Sequence, residues 1–268
     1  ELAKEELELF ESAKLLDDDV EGTREERAYR MWINSLGIDD VYINSSLYED
    51  VRSGVLLLKV IDKQRPGIVD WKKVDLKAKN KFSKMVNCNE AIAACKKIPI
   101  DIVSTAGCDL AEPNKKLVLG VVWQLMREST LKILGNKKET DILAWANLMN
   151  PMTQPLKSFS DKRLCDSTFY FDLMEKIQPH ITDWDIVMKD DTSKEALQNN
   201  AKYAISIARK LGATIFLVWE DISEVKGKML MTFTAALYEV YCLNEKLKGA
   251  KKQVEKESEM EGNVGMDK

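Results

Sequence analysis

Apolar residues recur along this chain at the spacing of an α-helix. In the segment REERAYRMWINSLG they fall at positions i, i+3, i+4 and i+7 and form a single stripe: Tyr29, Trp32, Ile33 and Leu36. Thr23 precedes the stripe and has Glu26 three positions later, which is the spacing of a capping box. Gly37 follows the stripe, where a helix-terminating glycine is expected. The pattern predicts a first helix between Thr23 and Gly37.

Further helices are predicted along the rest of the chain. The segments are Ser46–Lys63, Lys84–Lys97, Lys115–Leu134, Asp161–Gln178, Lys194–Lys210 and Met229–Leu243. Lys115–Leu134 is apolar nearly all round, which is typical of a central buried helix, and Met229–Leu243 is its counterpart. Sustained alternation of apolar and polar residues, the pattern of a strand, does not occur. The fold class predicted is therefore all-α, with about four main helices and some short ones in each half of the chain.

The two halves repeat each other. GIVDWKKV at Gly67–Val74 returns as HITDWDIV at His180–Val187, 113 positions later. AYRMWINSLG and DILAWANLMN share that offset, as do NCNEAIAACKKI and NAKYAISIARKL. The order and spacing indicate a duplicated domain of about 110 residues. The domains predicted are 23–134 and 139–246, joined by a connector at 135–138. Residues 1–22 form an acidic amphipathic segment that predicts a linker helix, and the charged residues 247–268 predict a flexible tail.

The composition offers little for catalysis or metal binding. The sequence contains one histidine, His180, which follows a proline and is predicted to lie in an exposed turn. Its five cysteines include no C-x-x-C pair, which is typical of reduced thiols in a cytosolic protein, and each is interpreted as a small buried hydrophobic residue. Phosphate-binding glycine loops and nucleophile motifs do not occur, and apolar runs stay short of the roughly 20 residues that span a bilayer. We therefore predict neither an enzyme, a cofactor nor a metal site.

The charge differs between the two halves. Residues 23–138 contain 21 Lys and Arg against 14 Asp and Glu, a net charge of +7. Residues 139–246 contain 12 against 16, a net charge of −4. A basic first domain suits an acidic macromolecular partner, because complementary potentials speed encounter and set orientation.

Several segments resemble one protein family. The segments EGTREERAYRMWINSLG, VDWKKV, NCNEAI, LVLGVVWQLMR, NNAKYAISIARKLGA and EDISEVKGKMLMTF resemble the second actin-binding module of the fimbrin (plastin) family. The resemblance implies two tandem calponin-homology domains that bind and cross-link actin filaments. Trp219 and Gly227 depart from the family, which tends to have proline at both positions.

The resemblance also selects candidate contacts with the filament, on the first and last helices of the first domain and the first helix of the second. On the first helix, the face opposite the apolar stripe carries Arg24, Arg27, Met31 and Asn34. The last helix and the connector supply Lys115, Lys116, Arg127, Lys132, Lys137 and Lys138. The alternative for each is a basic side chain that only solvates a helix face. The further basic run Lys72–Lys84 is interpreted as a solvated loop.

Three tryptophans receive separate interpretations. The resemblance implies that Trp123 contacts the second domain, with Lys228 stacked on its ring, and that loss of the indole would loosen the pair and raise filament affinity. The alternative is that Trp123 is a core residue. Trp71 and Trp184, in the repeated Asp-Trp pairs, are predicted to be structural and to hold a loop over each core.

The resemblance implies filamentous actin as the partner, in the cytoplasm at the actin cytoskeleton. It also implies EF-hands and another actin-binding module upstream in a full-length protein. We predict a monomer that binds neither nucleic acid nor membrane. The alternative function is a calponin-homology pair that serves as a regulatory domain or as a scaffold on microtubules or signalling proteins.

Overall fold

The computed structural model describes residues 23–150 and 154–264, with side chains through residue 250. The chain divides into two compact units, one ending at Asn136 and the other beginning at Lys137. Helices and loops account for all of the described residues, so the predicted all-α fold class is confirmed for this part of the chain. The predicted linker helix at residues 1–22 and the last four residues of the predicted tail lie outside the described residues.

The described residues of the first unit form six α-helices. They are α1 (Arg24–Ser35), α2 (Leu47–Val51), α3 (Val55–Gln64), α4 (Lys81–Cys95), α5 (Cys108–Ala111) and α6 (Lys115–Ile133), with a short 3₁₀ helix at Trp71–Lys73. Helix α1 packs on α6, and α3 packs on α4. Helix α6 buries Val118, Val121, Val122 and Leu125 on one stripe, and Trp123 and Met126 beside that stripe. The central buried helix predicted from the sequence is therefore present.

Five α-helices lie in the described part of the second unit. They are α7 (Glu139–Met149), α8 (Thr168–Ile177), α9 (Lys194–Lys210), α10 (Trp219–Ser223) and α11 (Gly227–Val264), with a 3₁₀ helix at Lys162–Leu164. Helix α11 packs on α7 and α8, and α9 packs on α8 and α10. Trp145 of α7 lies against two rings of α11, with its centroid 4.9 Å from that of Tyr238 and 5.5 Å from that of Tyr241.

The helix ends follow from local sequence. The Thr23 hydroxyl accepts the backbone N–H of Glu26 at 3.2 Å, as the capping pattern predicts. The Glu26 carboxylate accepts the backbone N–H of Leu47 at 2.9 Å, and so joins α1 to the start of α2. Gly37, just past the end of α1, adopts a φ of +57°, which is the expected left-handed stop.

Two predicted helices are each divided, contrary to the sequence-based expectation. The segment Ser46–Lys63 breaks before α3, where Gly54 has a φ of +74°. A Cβ at Gly54 would lie 2.7 Å from backbone atoms of Asn87 and Cys88, so the close approach of α4 requires glycine here. The segment Asp161–Gln178 breaks before α8 at Ser167, which has a φ of +67° and stands 113 positions after Gly54. The break is thus a repeated feature of the fold, which the continuous apolar pattern conceals.

Two asparagines at equivalent positions close equivalent loops in the two units: Asn34 is buried and Asn147 is half-buried. Asn34 accepts the backbone N–H of Ile43 at 2.8 Å and donates to its carbonyl at 3.3 Å. Asn147, 113 positions later, accepts the N–H of Leu156 at 2.9 Å and donates to its carbonyl at 3.0 Å. Each side chain therefore satisfies both backbone groups of one residue that has no partner in a helix.

An acidic side chain fixes the turn before each Asp-Trp pair. Asp62 accepts the backbone N–H of Gly67 at 3.1 Å. Glu175, the equivalent residue, accepts the N–H of His180 at 2.5 Å and that of Thr182 at 3.2 Å. His180 is exposed, as predicted, and its φ of +64° matches the left-handed conformation of Gly67.

The two repeated tryptophans have different environments. The Trp71 indole N–H donates to Asp62 Oδ2 at 3.2 Å, although much of the ring is exposed. Trp184 packs edge-on against Phe171, with 6.3 Å between ring centroids, and carries the ammonium of Lys189 4.4 Å from its own centroid. Both rings hold their loops, as predicted, but Trp71 does so by its hydrogen bond at the surface.

The last helix is longer than predicted. It runs from Gly227 to Val264, so residues 247–264 are helical where a tail was expected; the flexibility of that segment stays a prediction, as do the domain boundaries. At its first residue, a Cβ on Gly227 would lie 2.3 Å from Ser160 Oγ. The Ser160 hydroxyl can rotate away from such a Cβ, so nothing in the structure explains the departure from the family pattern at Gly227.

Candidate functional site

Four of the predicted basic residues are exposed. Lys115 and Lys116 are the first two residues of α6, and Lys137 and Lys138 lie in the segment before α7. The first turn of α6 carries no acidic residue. Cations at a helix N-terminus oppose the helix dipole, so Lys115 and Lys116 do not serve the stability of α6. The dipole of α6 therefore does not account for their charge, and their contact with an anionic partner stays a prediction.

Lys115 is oriented by an aromatic ring. Its ammonium lies 5.2 Å from the centroid of the Tyr48 ring, a cation–π distance. Asn114 caps the same helix, because its side-chain oxygen accepts the backbone N–H of Leu117. The positive charge of Lys115 is thereby held at one end of a capped, rigid helix.

The candidates on the first helix are mostly buried, which corrects the expectation that they lie on an exposed face. Arg27 and Met31 are each 4% exposed, and Asn34 is also buried. Arg24 is half-buried. Helix α1 buries every residue from Glu26 to Asn34, so it is packed on more than the single stripe that its apolar residues mark. Asn34 has the structural role described above, and a direct role of these side chains in binding stays a prediction.

Lys132 also has a structural contact. It donates from its ammonium to the carbonyl oxygen of Gln64, the last residue of α3, and so caps that helix. The Gln64 amide donates to the carbonyl of Leu125 at 3.2 Å, and Arg65 forms an ion pair with Glu128, which is 7% exposed. The end of α3 is thus fixed to α6 by polar bonds, among which Lys132 is one. Arg127, which directly precedes Glu128 in the sequence, is half-buried.

Trp123 is buried and Lys228 is exposed. The contact predicted between these residues would join the two units, and it stays a prediction.

The basic run at Lys72–Lys84 includes exposed apolar residues that the sequence analysis missed. Leu76 and Phe82 are both largely solvated, beside lysines that are themselves exposed. Comparison of the two repeats gives the signal, since Glu195 stands where Phe82 stands in the first. An apolar residue whose repeat equivalent is charged does not belong to the common core.

The described residues contain no candidate metal site. Among them, no cluster of three or more His, Cys, Asp and Glu side chains could hold a metal ion, and no helix is long and apolar enough to cross a membrane. Burial raises the pKa of Cys88 to about 11 and that of Cys95 to about 12. Those two thiols are buried as predicted, but Cys108 is exposed and Cys165 is half-buried.

Comparisons with known proteins find one family. Residues 23–130 and 136–242 each match the model of the Calponin homology (CH) domain. The chain is 43% identical to Fimbrin-2 of Arabidopsis thaliana over 236 residues, which cover 83% of this chain and 36% of that protein. It is 37% identical to Plastin-3 of Homo sapiens over 229 residues, which cover 80% of this chain and 36% of that protein.

A solved structure matches most of this chain. The crystal structure of the actin-crosslinking core of Schizosaccharomyces pombe fimbrin matches with a TM-score of 0.73 and 33% sequence identity. The match covers 82% of this chain and 49% of that one. The chain therefore spans about a third of the length of the curated relatives named above, and about half of the matching structure.

Proposed function

We propose that this chain, which belongs to the calponin homology (CH) domain family and contains two copies of the domain, binds filamentous actin as one module of a filament cross-linking protein. The observation that carries the proposal is the match of both domains, in order, to the actin-crosslinking core of a fimbrin. Such a module acts at the actin cytoskeleton in the cytoplasm.

The first unit supplies most of the contact with the filament. Its residues 23–136 carry a net charge of +5, against −2 at residues 137–246 of the second unit, which suits an acidic filament. Lys115 and Lys116 are exposed on a rigid helix end whose own stability they do not favour. Lys137 and Lys138 extend the same positive charge into the connector.

Binding and cross-linking are separate activities in this proposal. A cross-linker needs two filament-binding sites, and this chain contributes one of them. As a monomer it should therefore decorate filaments without joining them. The alternative, in which the CH pair serves as a scaffold on microtubules, has the same fold, because fold alone does not fix function.

Co-sedimentation separates the alternatives. A fixed concentration of the chain is centrifuged at high speed with increasing filamentous actin, and in parallel with increasing microtubules. We expect saturable pelleting with actin and background pelleting with microtubules. Low-speed centrifugation, which collects only bundles, should leave the decorated filaments in solution. Saturable pelleting with microtubules and not with actin would assign the chain to the scaffold class.

A further inference from the structure

A second surface of the first unit combines exposed apolar side chains with lysines. Phe82 is 79% exposed, Leu76 is 63% exposed and Val86 is 39% exposed. Phe82 and Val86 are one turn apart on α4, and Leu76 directly follows Asp75, whose backbone is bonded to the side chain of Asn87 on that helix. We call these three residues and the lysines around them the basic–apolar patch. The lysines are Lys72, Lys73, Lys77, Lys79, Lys81 and Lys84.

The second unit shows that the fold does not require this chemistry. Residues 71–86 contain six lysines and one aspartate, a net charge of +5, whereas the equivalent residues 184–199 contain two lysines and four acidic residues, a net charge of −2. Phe82 is replaced there by Glu195 and Leu76 by Lys189. Helices α4 and α9 nevertheless begin at equivalent residues, each with a side-chain N-cap.

The lysines of the patch also oppose the stability of their own helix. Lys81 and Lys84 lie in the first turn of α4, which contains no acidic residue. The equivalent turn of α9 contains Glu195. Positive charge at this end of a helix is unfavourable. An exposed phenylalanine is likewise unexplained by packing. The two features together favour contact with a partner outside the unit.

Most of the positive charge is available to such a partner. Lys73 pairs with Asp70 at 3.5 Å, and Lys81 pairs with Glu112, both at exposed positions where ion pairs are weak. Within the described part of the chain, Lys72, Lys77 and Lys79 have no carboxylate within ion-pair distance.

We propose, contrary to the expectation from the sequence, that the basic–apolar patch binds the surface of an anionic phospholipid membrane. Lysines are attracted to the negative leaflet, and Phe82 and Leu76 enter the boundary between headgroups and acyl chains. A lipid surface fits better than an acidic protein because Phe82 protrudes into solvent. A fluid bilayer accommodates a protruding ring without a preformed pocket, whereas a protein partner would have to provide one.

The expected strength follows from the number of groups involved. Each lysine near an anionic surface contributes roughly fivefold to the partition coefficient. The removal of two lysines should therefore weaken binding by about 25-fold, and the removal of the Phe82 ring by about tenfold or more. The attraction between lysines and lipids should also weaken as salt rises.

Vesicle co-sedimentation tests the proposal with the full chain. The probes are vesicles of phosphatidylcholine alone and vesicles of phosphatidylcholine with phosphatidylserine. The patch variants are Phe82→Ala and the double variant Lys77→Gln/Lys79→Gln. The matched control is Lys96→Gln/Lys97→Gln, which removes the same charge from the other end of α4. Thermal unfolding should show that all of these variants are folded, because the altered side chains are exposed.

We expect the wild-type chain to bind the phosphatidylserine vesicles and not the neutral ones. Binding to these vesicles should be about 25-fold weaker for Lys77→Gln/Lys79→Gln and about tenfold or more weaker for Phe82→Ala. The control should bind as the wild-type chain does. Absence of vesicle binding by the wild-type chain, or equal loss in the control, would overturn the proposal. Loss of filament binding in the patch variants with unchanged vesicle binding would also overturn it, and would assign the patch to the filament.

Discussion

Asn87 binds both backbone groups of Asp75. Its side-chain oxygen accepts the Asp75 N–H at 2.9 Å, and its amide nitrogen donates to the Asp75 carbonyl at 2.8 Å and to the Ser53 carbonyl at 3.0 Å. Asn200 makes the same set of bonds 113 positions later, with Met188 at 3.0 and 2.9 Å and with the Asp166 carbonyl at 3.2 Å. The Asn87 amide thus positions a lysine-rich loop in the first unit, and the Asn200 amide positions an acidic loop in the second.

Replacement of Asn87 by alanine should lower the free energy of unfolding by roughly 2–4 kcal/mol, because three backbone groups lose their partner in a buried site. Asn200→Ala should have an effect of similar size. Denaturant unfolding measures both. Asn199→Ala is the control, since Asn199 is exposed and adjacent to Asn200. Equal midpoints for Asn199→Ala and Asn200→Ala would contradict the role given to the buried amide.

His180→Gly should stabilise the chain. His180 has a φ of +64°, which is unfavourable for a residue with a Cβ, and the equivalent residue of the first unit is Gly67, with a φ of +87°. We expect a gain of up to about 1 kcal/mol in the free energy of unfolding, after the greater chain entropy of glycine is subtracted. The thermal midpoint measures the gain, and a clear fall in that midpoint would show that the imidazole makes a compensating contact.

The bonds to Glu175 should make stability depend on pH. Partial burial raises the pKa of the Glu175 carboxyl. Hydrogen bonds from the backbone N–H groups of His180 and Thr182 outweigh this effect and hold that pKa below its ordinary value. A carboxyl whose folded pKa is depressed stabilises the fold above its unfolded pKa, and that stabilisation is lost as pH falls through the folded pKa.

Denaturant midpoints of the wild-type chain and of Glu175→Gln, measured from neutral pH down into the acidic range, test this dependence. The two curves should differ at neutral pH and converge as the carboxyl is protonated. Curves that remain parallel over the whole range would show that Glu175 contributes no pH dependence.

The periodicity of apolar residues predicts the helices well but not their divisions. The segment before Gly54 keeps a helical pattern into α3, so only the left-handed φ and the close approach of α4 reveal the break. Sequence comparison of the repeats does not reveal this break either, because the residue equivalent to Gly54 is Ser167, which carries a Cβ. Backbone conformations that two different residue types can adopt leave no clear sequence signal.

The candidate surface was predicted only in part, for a related reason. A single apolar stripe identifies one packed side of α1, but Arg27 and Met31 are buried on a side that reads as polar or mixed. Asn34 looks like any surface amide in the sequence, and only the backbone of Ile43 beside it shows its structural role. Lys115 and Lys116, at the capped end of a regular helix, are the residues for which the sequence and the structure agree best.

The central claim is that the exposed lysines of the first unit bind an acidic filament. Its most direct test is co-sedimentation of the chain and of Lys115→Glu/Lys116→Glu with filamentous actin over a series of salt concentrations. Acidic residues in the first turn favour α6, which offsets the lost contact of Lys115 with the Tyr48 ring, and thermal unfolding should show that this variant is folded. The matched control, Lys157→Glu/Lys194→Glu, makes the same change of charge at exposed residues of the second unit.

We expect the first variant to bind roughly tenfold or more weakly than the wild type at low salt, with a smaller dependence on salt, because like charges then face the acidic filament. The control should bind nearly as well as the wild type. Equal affinities of the wild type and Lys115→Glu/Lys116→Glu at every salt concentration would contradict the account.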